Sequence, residues 1–277
     1  MSLNVCSLNS GSNGNCYYIG NEHEALLVDA GISCRETVKR MKRQGLDPGK
    51  LKAIFVSHEH SDHISGVPGL SKKFRLPVYI TDETLRYSNL PIEPSLVRPF
   101  MTGFTINLGT LSVTAFKKSH DACDPHSFMI TCEGVNVGVF TDIGYGCAEV
   151  IANFRLCHAA FLESNYCEDL LEKGNYPYHL KQRIRGRQGH LSNSQAIELF
   201  TRHRSPHLSH LILSHLSKNN NSPELVQQLF KPYAGSTTIT VASRYGETPV
   251  YSVPKDWMGE PGSAFPTPPR QLQLSLF

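Results

Sequence analysis

Val56-Ser57-His58-Glu59-His60-Ser61-Asp62-His63-Ile64-Ser65-Gly66 places three histidines and an aspartate within six positions, 58 to 63. Neutral imidazole and carboxylate are the ligands that zinc, manganese and iron accept. The run just upstream, Ala53-Ile54-Phe55-Val56, is apolar and rich in β-formers, and it reads as a buried strand. The ligand-type residues then fall on the loop leaving a core strand, where a rigid scaffold can aim them. One histidine on such a loop is an ordinary polar residue; four ligand-type side chains at this spacing point to metal.

The pattern H-x-H-x-D-H resembles the signature of the metallo-β-lactamase fold. That fold takes its remaining ligands from distant loops, so the rest of the chain can be read for them.

The chain has 277 residues, enough for one sizeable core, and a net charge of +3, which permits an anionic partner without demanding one. There is no apolar run of membrane-spanning length, and the start, Met1-Ser2-Leu3-Asn4-Val5-Cys6, shows no secretory signal. A cytoplasmic protein with no membrane contact is expected. The eight cysteines are scattered without a C-x-x-C pair, and they read as reduced, buried small residues.

Short apolar runs at 3–8, 15–20 and 25–29 predict antiparallel strands, with Asp29 ending the third. Ser33 and Glu36 predict a capping box and a helix to about Gln44. A helix to about Phe74 follows the histidine cluster, then strands at 77–81, 111–118, 127–132 and 135–141. A strand at 158–162 delivers Glu163. The segment 166–185 reads as helical and broken at Pro177, and Ser192 with Gln195 caps a further helix. The strand 211–214 delivers His215, Ser222 opens another helix, and strands near 237–242 and 248–253 close the domain. Mixed strands followed by alternating helices and strands suggest an α/β (α+β) chain folded as an αββα four-layer sandwich over residues 1–253. From Pro254 the composition turns to Pro, Gly and Ser, so 254–277 reads as a linker and tail without a core of its own.

His120, Asp142 and His215 each follow a predicted strand. The fold resemblance implies two divalent ions, manganese or zinc. His58, His60 and His120 would hold one, Asp62, His63 and His215 the other, with Asp142 bridging and Asp29 bonded to a ligand or to the motif loop. Such a pair of ions suits hydrolysis of an anionic ester. Asp62 would orient the attacking water and accept its proton. Flavodiiron oxidoreductases of this fold carry Glu where this chain has His60, which argues against redox chemistry.

Thioester hydrolysis would fit the same ligands, so the substrate must be read from other stretches. Ser10-Gly11-Ser12-Asn13-Gly14-Asn15-Cys16, Leu162-Glu163-Ser164-Asn165-Tyr166, Gly174-Asn175-Tyr176-Pro177, Gly189-His190-Leu191-Ser192-Asn193 and Ser214-His215-Leu216-Ser217 carry the evidence. They resemble the YycJ (WalJ) family of bacterial metallo-β-lactamase-fold nucleases, over roughly residues 3–250. The resemblance implies a cytosolic 5′ to 3′ DNA exonuclease of replication or repair. Comparison with the tRNA 3′-processing nucleases implies that Glu163 and His190 relay a proton to the leaving oxygen; the alternative is a strand-end carboxylate and a helix-start residue. Lys181, Arg183, Arg185 and Arg187 read either as a solvated basic face or as phosphate contacts. Seventy-two residues separate Asp142 from His215, too few for the extra domain of the β-CASP nucleases. A small-molecule phosphodiesterase, an RNA nuclease, and a nucleic-acid-binding adaptor with structural metals are the competing functions.

The final residues Gln273-Leu274-Ser275-Leu276-Phe277 resemble the peptide by which bacterial polymerases and repair proteins dock on the β sliding clamp. Leu274, Leu276 and Phe277 would be the apolar anchors and Gln273 an orienting amide. The alternative is a tail folded onto its own domain.

Overall fold

The computed structural model describes residues 2–257. The chain opens as an antiparallel meander, β1 (Leu3–Asn9), β2 (Cys16–Gly20) and β3 (Ala25–Val28). Helix α1 (Cys34–Arg43) crosses over to β4 (Leu51–Phe55), which runs parallel to β3. Helices α2 (Ser61–Ile64) and α3 (Val67–Phe74) lead to β5 (Val78–Tyr79), and α4 (Asp82–Ser88) to β6 (Val97–Arg98), both parallel additions.

The second half repeats the plan. Strands β7 (Thr105–Leu108), β8 (Leu111–Lys117), β9 (His126–Cys132) and β10 (Val135–Phe140) are antiparallel. Then α5 (Ala148–Phe154), β11 (Ala159–Glu163), α6 (Glu168–Lys173), α7 (Tyr178–Arg185), α8 (Asn193–His203), β12 (His210–Ser214), α9 (Pro223–Phe230) and β13 (Thr238–Val241) follow, with β10 to β13 parallel. Strand β14 (Tyr251–Val253) returns to the first sheet beside β1. The two sheets have the orders β14-β1-β2-β3-β4-β5-β6 and β13-β12-β11-β10-β9-β8-β7.

Side-chain alternation sets the layers. On β4, Ala53 and Phe55 enter the core between the sheets while Ile54 joins the outer one. Between the sheets, Phe55 meets Phe128 edge-on at 5.5 Å and Tyr17 meets Phe161 at 4.8 Å. Outside, Met41 and Leu70 cover the first sheet, and Phe154, Phe200 and Phe230 cover the second. The inner strands of each sheet are buried on both faces, which is why they read as continuous apolar runs. The result is the expected αββα sandwich.

Local expectations met the structure unevenly. Ser192 and Gln195 form the complete reciprocal capping box. At α1 only half of it exists: Ser33 Oγ accepts from Glu36 N, but the Glu36 carboxylate turns to Arg40 Nε at 2.9 Å. The histidine motif is not all loop, because Ser61–Ile64 closes a helical turn. Strands β6 and β7 carry no sustained apolar run and are formed by their neighbours. All eight cysteines are free. Among the described residues no helix is long and apolar enough to cross a membrane. The tail residues Gln273, Leu274, Leu276 and Phe277 lie outside the described residues.

Candidate metal centre

The parallel strands of both sheets end at one edge of the sandwich, and each end delivers a polar side chain. Asp29 follows β3, the histidine motif follows β4, Asp142 follows β10, Glu163 ends β11 and His215 follows β12. Carboxyl ends of parallel strands are where open α/β sheets bind ligands. Asp29, Asp142 and His215 have φ of 59°, 54° and 57°. That left-handed turn costs a non-glycine residue roughly 1–2 kcal/mol, and it persists only where neighbours hold it. Asp29 N donates to Phe55 O and His215 N to Ser10 Oγ, each at 2.8 Å.

The ligand-type atoms form two adjoining groups. His60 Nδ1 lies 3.0 Å from His58 Nε2 and 3.4 Å from His120 Nε2. Asp62 Oδ2 lies 3.6 Å from His63 Nε2 and 3.4 Å from His215 Nε2. Asp142 faces both groups, with Oδ1 3.8 Å from His120 Nε2 and Oδ2 3.1 Å from His63 Nε2. All seven side chains named from the sequence therefore meet in one place, with His58, His60 and His120 in one cluster, Asp62, His63 and His215 in another, and His58, His63 and Asp142 in a third that overlaps both.

The surroundings turn the imidazoles inward. His58 Nδ1 meets Ser57 Oγ at 2.8 Å, His63 Nδ1 meets Asp29 Oδ2 at 2.7 Å, and His120 Nδ1 meets Gly189 O at 3.1 Å. A proton held on Nδ1 leaves the Nε2 lone pair facing the centre. Lone pairs brought together at such distances repel unless a cation lies between them. Asp142 Oδ2 is buried with His63 Nε2 3.1 Å away, a nitrogen whose lone pair would repel the carboxylate unless a proton or a metal cation lay between them. The residues fit two divalent ions.

Charge is distributed unequally. Burial, with His63 and Lys118 nearby, holds the His58 pKa well below its ordinary value; burial also brings His120 down to about 4. Burial opposes protonation of His63 as well, but Asp142, Asp29 and Asp62 raise its pKa to about 10. His215, likewise buried, is raised well above the usual imidazole value by Asp142, Asp62 and Glu163. In the first group His58 and His120 are thus neutral donors. The other group is anionic enough to hold protons where metal would displace them.

Glu163 is fully buried and committed on both oxygens. Oε2 accepts from Ile143 N (2.8 Å) and Leu191 N (3.2 Å); Oε1 faces His190 Nδ1 (2.7 Å) and His215 Nδ1 (3.1 Å). Burial disfavours its charge, yet His190 and His215 keep its pKa below the ordinary value. His190 is partly exposed and, with His215, Asn165, Tyr176, Leu180 and Arg183, lines a cleft beside the ligands.

The basic run does not form one face. Lys181 and Arg185, one turn apart on α7, turn to Glu172. Arg183 pairs with Asp121 at the cleft, and Arg187 lies beyond the helix.

Three residues at the site carry no sequence signal of their own. Asn15 Nδ2 reaches Asp62 Oδ2 (3.1 Å) and His63 Nε2 (3.0 Å). Ser57 links Asp29 to His58. Lys118 is buried, donates to Thr141 O at 2.8 Å, and brings a positive charge beneath the carboxylates.

A family model described as the metallo-beta-lactamase superfamily matches residues 10–166. The chain is 33% identical over 232 residues to "Exodeoxyribonuclease YycJ" of Bacillus anthracis, covering 82% of this chain and 87% of that one. It is 32% identical over 223 residues to "Exodeoxyribonuclease WalJ" of Streptococcus pneumoniae serotype 2, covering 79% and 83%. Among solved structures, the metallo-beta-lactamase fold protein YhfI from Bacillus subtilis superposes with a TM-score of 0.69 at 17% identity, over 91% of this chain and 100% of that one. The short form of human tRNase Z superposes with a TM-score of 0.60 at 17% identity, over 91% and 99%; both likenesses concern the fold alone.

Proposed function

The chain belongs to the metallo-β-lactamase superfamily, and within it to the YycJ/WalJ-like family, and we propose that this metal-dependent hydrolase is a 5′ to 3′ DNA exonuclease acting in replication or repair. Two manganese or zinc ions are assigned to His58, His60 and His120 and to Asp62, His63 and His215, with Asp142 shared. Bound there, the ions would supply a Lewis acid for the phosphate and lower the pKa of the attacking water.

The protein's own groups do the rest. Asp62, steadied by Asn15, orients the attacking water and accepts its proton. As an imidazolium, with Nδ1–H held by the Glu163 carboxylate, His190 gives its Nε2 proton to the leaving alkoxide and is left as the neutral imidazole. Glu163 fixes the His190 ring and stabilises its positive charge, and through the same oxygen it turns His215 toward Asp62. The observation that carries the reading is the Glu163–His190 contact of 2.7 Å, with His190 Nδ1 3.7 Å from Asp142 and its ring on an open cleft. An alkoxide is a poor leaving group, and a phosphodiesterase needs an acid placed there.

The deciding experiment uses full-length protein with Mn²⁺, Zn²⁺ or Mg²⁺ on 5′- and 3′-labelled single and double strands. Loss of the 5′ label first is expected, and His60→Ala and Asp142→Ala should abolish cleavage while circular dichroism stays native. Turnover of bis-p-nitrophenyl phosphate without cleavage of any strand would make it a small-molecule phosphodiesterase instead. Residues 254–277 are assigned as a linker and a peptide that docks on the β sliding clamp.

A further inference from the structure

The four cations of the basic run differ in what holds them. Lys181 donates to the Glu172 carbonyl oxygen, Arg185 pairs with the Glu172 carboxylate, and Arg183 pairs with Asp121. Arg187 has no acidic partner among the described residues. Its guanidinium lies over the Tyr145 ring, 4.1 Å from the centroid.

That stack is tied to the metal centre through the backbone. Tyr145 comes three residues after Asp142, and Arg187 three before His190. Gly144 N donates to Ser119 O at 2.7 Å, and Ser119 Oγ donates to Arg187 O at 2.8 Å. Gly144 runs so close to Arg187 that a Cβ there would fall 2.0 Å from the Arg187 carbonyl oxygen. Ser119 precedes His120. The segments that place His120, Asp142 and His190 thus also fix the stack. A recess lined by Lys117, Ser119, His120, Tyr145 and Gln188 joins the stack to the ligands, and it shares no lining residue with the cleft of Arg183 and His190.

We propose that Tyr145 and Arg187 form a stacking platform for a base of single-stranded DNA at the metal centre, an assignment that rests on the nuclease reading above. A guanidinium is planar and has two faces. One covers Tyr145; Arg187 is exposed, so the other is open to a ligand. An unpaired base stacks on such a face whatever its identity, while a charge not spent on a carboxylate attracts the adjoining phosphate. Bases inside a duplex are already stacked, so the platform selects for a single strand. The recess beyond it leads that strand to His120.

The test is fluorescence anisotropy of metal-loaded, full-length protein with a phosphorothioate-linked oligothymidylate, which resists cleavage, and with a blunt duplex. Arg187→Gln, Arg187→Lys and Tyr145→Ala should each weaken single-strand binding about fivefold or more, and Tyr145→Phe should keep it. Duplex binding should change far less. Melting temperatures identify any variant that has lost its fold, and the two exposed Arg187 changes carry the test if Tyr145→Ala does not fold. Wild-type affinity in both Arg187 variants overturns the platform. So does an Arg187→Lys protein that binds as wild type while Arg187→Gln is weak, since charge alone would then suffice. A wild-type protein with no affinity for the oligothymidylate sinks the nuclease reading itself; the platform alone fails only through the variants.

Discussion

Asp29 Oδ2 lies 2.7 Å from His63 Nδ1, and the same fully buried carboxylate accepts from Ser57 N and Ser57 Oγ, each at 2.8 Å. Ser57 Oγ in turn meets His58 Nδ1 at 2.8 Å. One carboxylate therefore orients a ligand in each group, His63 directly and His58 through a hydroxyl. Asp29→Asn should lower metal affinity about 10- to 100-fold, and Ser57→Ala should weaken mainly the ion assigned to His58. Competition with a chromogenic chelator reads both; an Asp29→Asn protein that competes as wild type removes Asp29 from this role.

Replacing the acid should depend on the leaving group. His190→Ala is expected to slow cleavage of DNA by about 10²–10⁴-fold. A p-nitrophenyl ester, whose leaving group needs no proton, should lose much less. Glu163→Gln should follow the same pattern, with an added loss of metal affinity through His215. Equal losses on both substrates would mean that His190 binds rather than donates.

His126 supplies a pH dependence away from the metal centre. Burial lowers its pKa to about 4, and its ring is satisfied as a neutral group between Asp124 O (2.9 Å) and Thr102 Oγ1 (2.8 Å). The unfolded chain takes up the proton near pH 6.5, at the ordinary histidine value, and the folded one only near pH 4. The contribution is thus fully present above pH 6.5, falls as pH drops through the window, and is lost below about 4; its size is on the order of 3 kcal/mol. Urea melts of chelator-treated wild type and His126→Gln should converge in slope with a pH-dependent difference confined to that window. A constant difference from pH 7.5 to 4 would refute the linkage.

Leu276→Ala/Phe277→Ala should leave cleavage of free DNA intact and abolish binding to purified β sliding clamp. Docking on a clamp that encircles DNA would raise the effective concentration of an enzyme at its substrate. Absence of wild-type binding at tens of micromolar, or a lowered melting temperature in the double variant, would show the tail to be structural.

The candidate metal ligands were legible as a cluster because few side chains do this chemistry, and His58, His60, Asp62 and His63 crowd into one turn. His120, Asp142 and His215 needed the strand-end context as well, and Glu163 with His190 needed the family resemblance. Asn15, Ser57 and Lys118 escaped because asparagine, serine and lysine are common at turns and strand ends, and only the fold brings them beneath the ligands. The basic run is dispersed despite its regular alternation. A helix turns 3.6 residues per repeat, so α7 sends Lys181 and Arg185 to one side and Arg183 to another. Strands β6 and β7 were invisible because pairing with neighbours, rather than their own apolar content, makes them.

His58, His60, Asp62 and His63 hang from the first sheet, and His120, Asp142 and His215 from the second. Ions held between them would rivet the seam of the sandwich. Whatever free energy they contribute by binding only the closed form rises with the logarithm of their concentration. The durability of this protein would then be set by the supply of the same ions its proposed chemistry requires. Metal scarcity would switch off the reaction and shorten the life of the molecule in a single event.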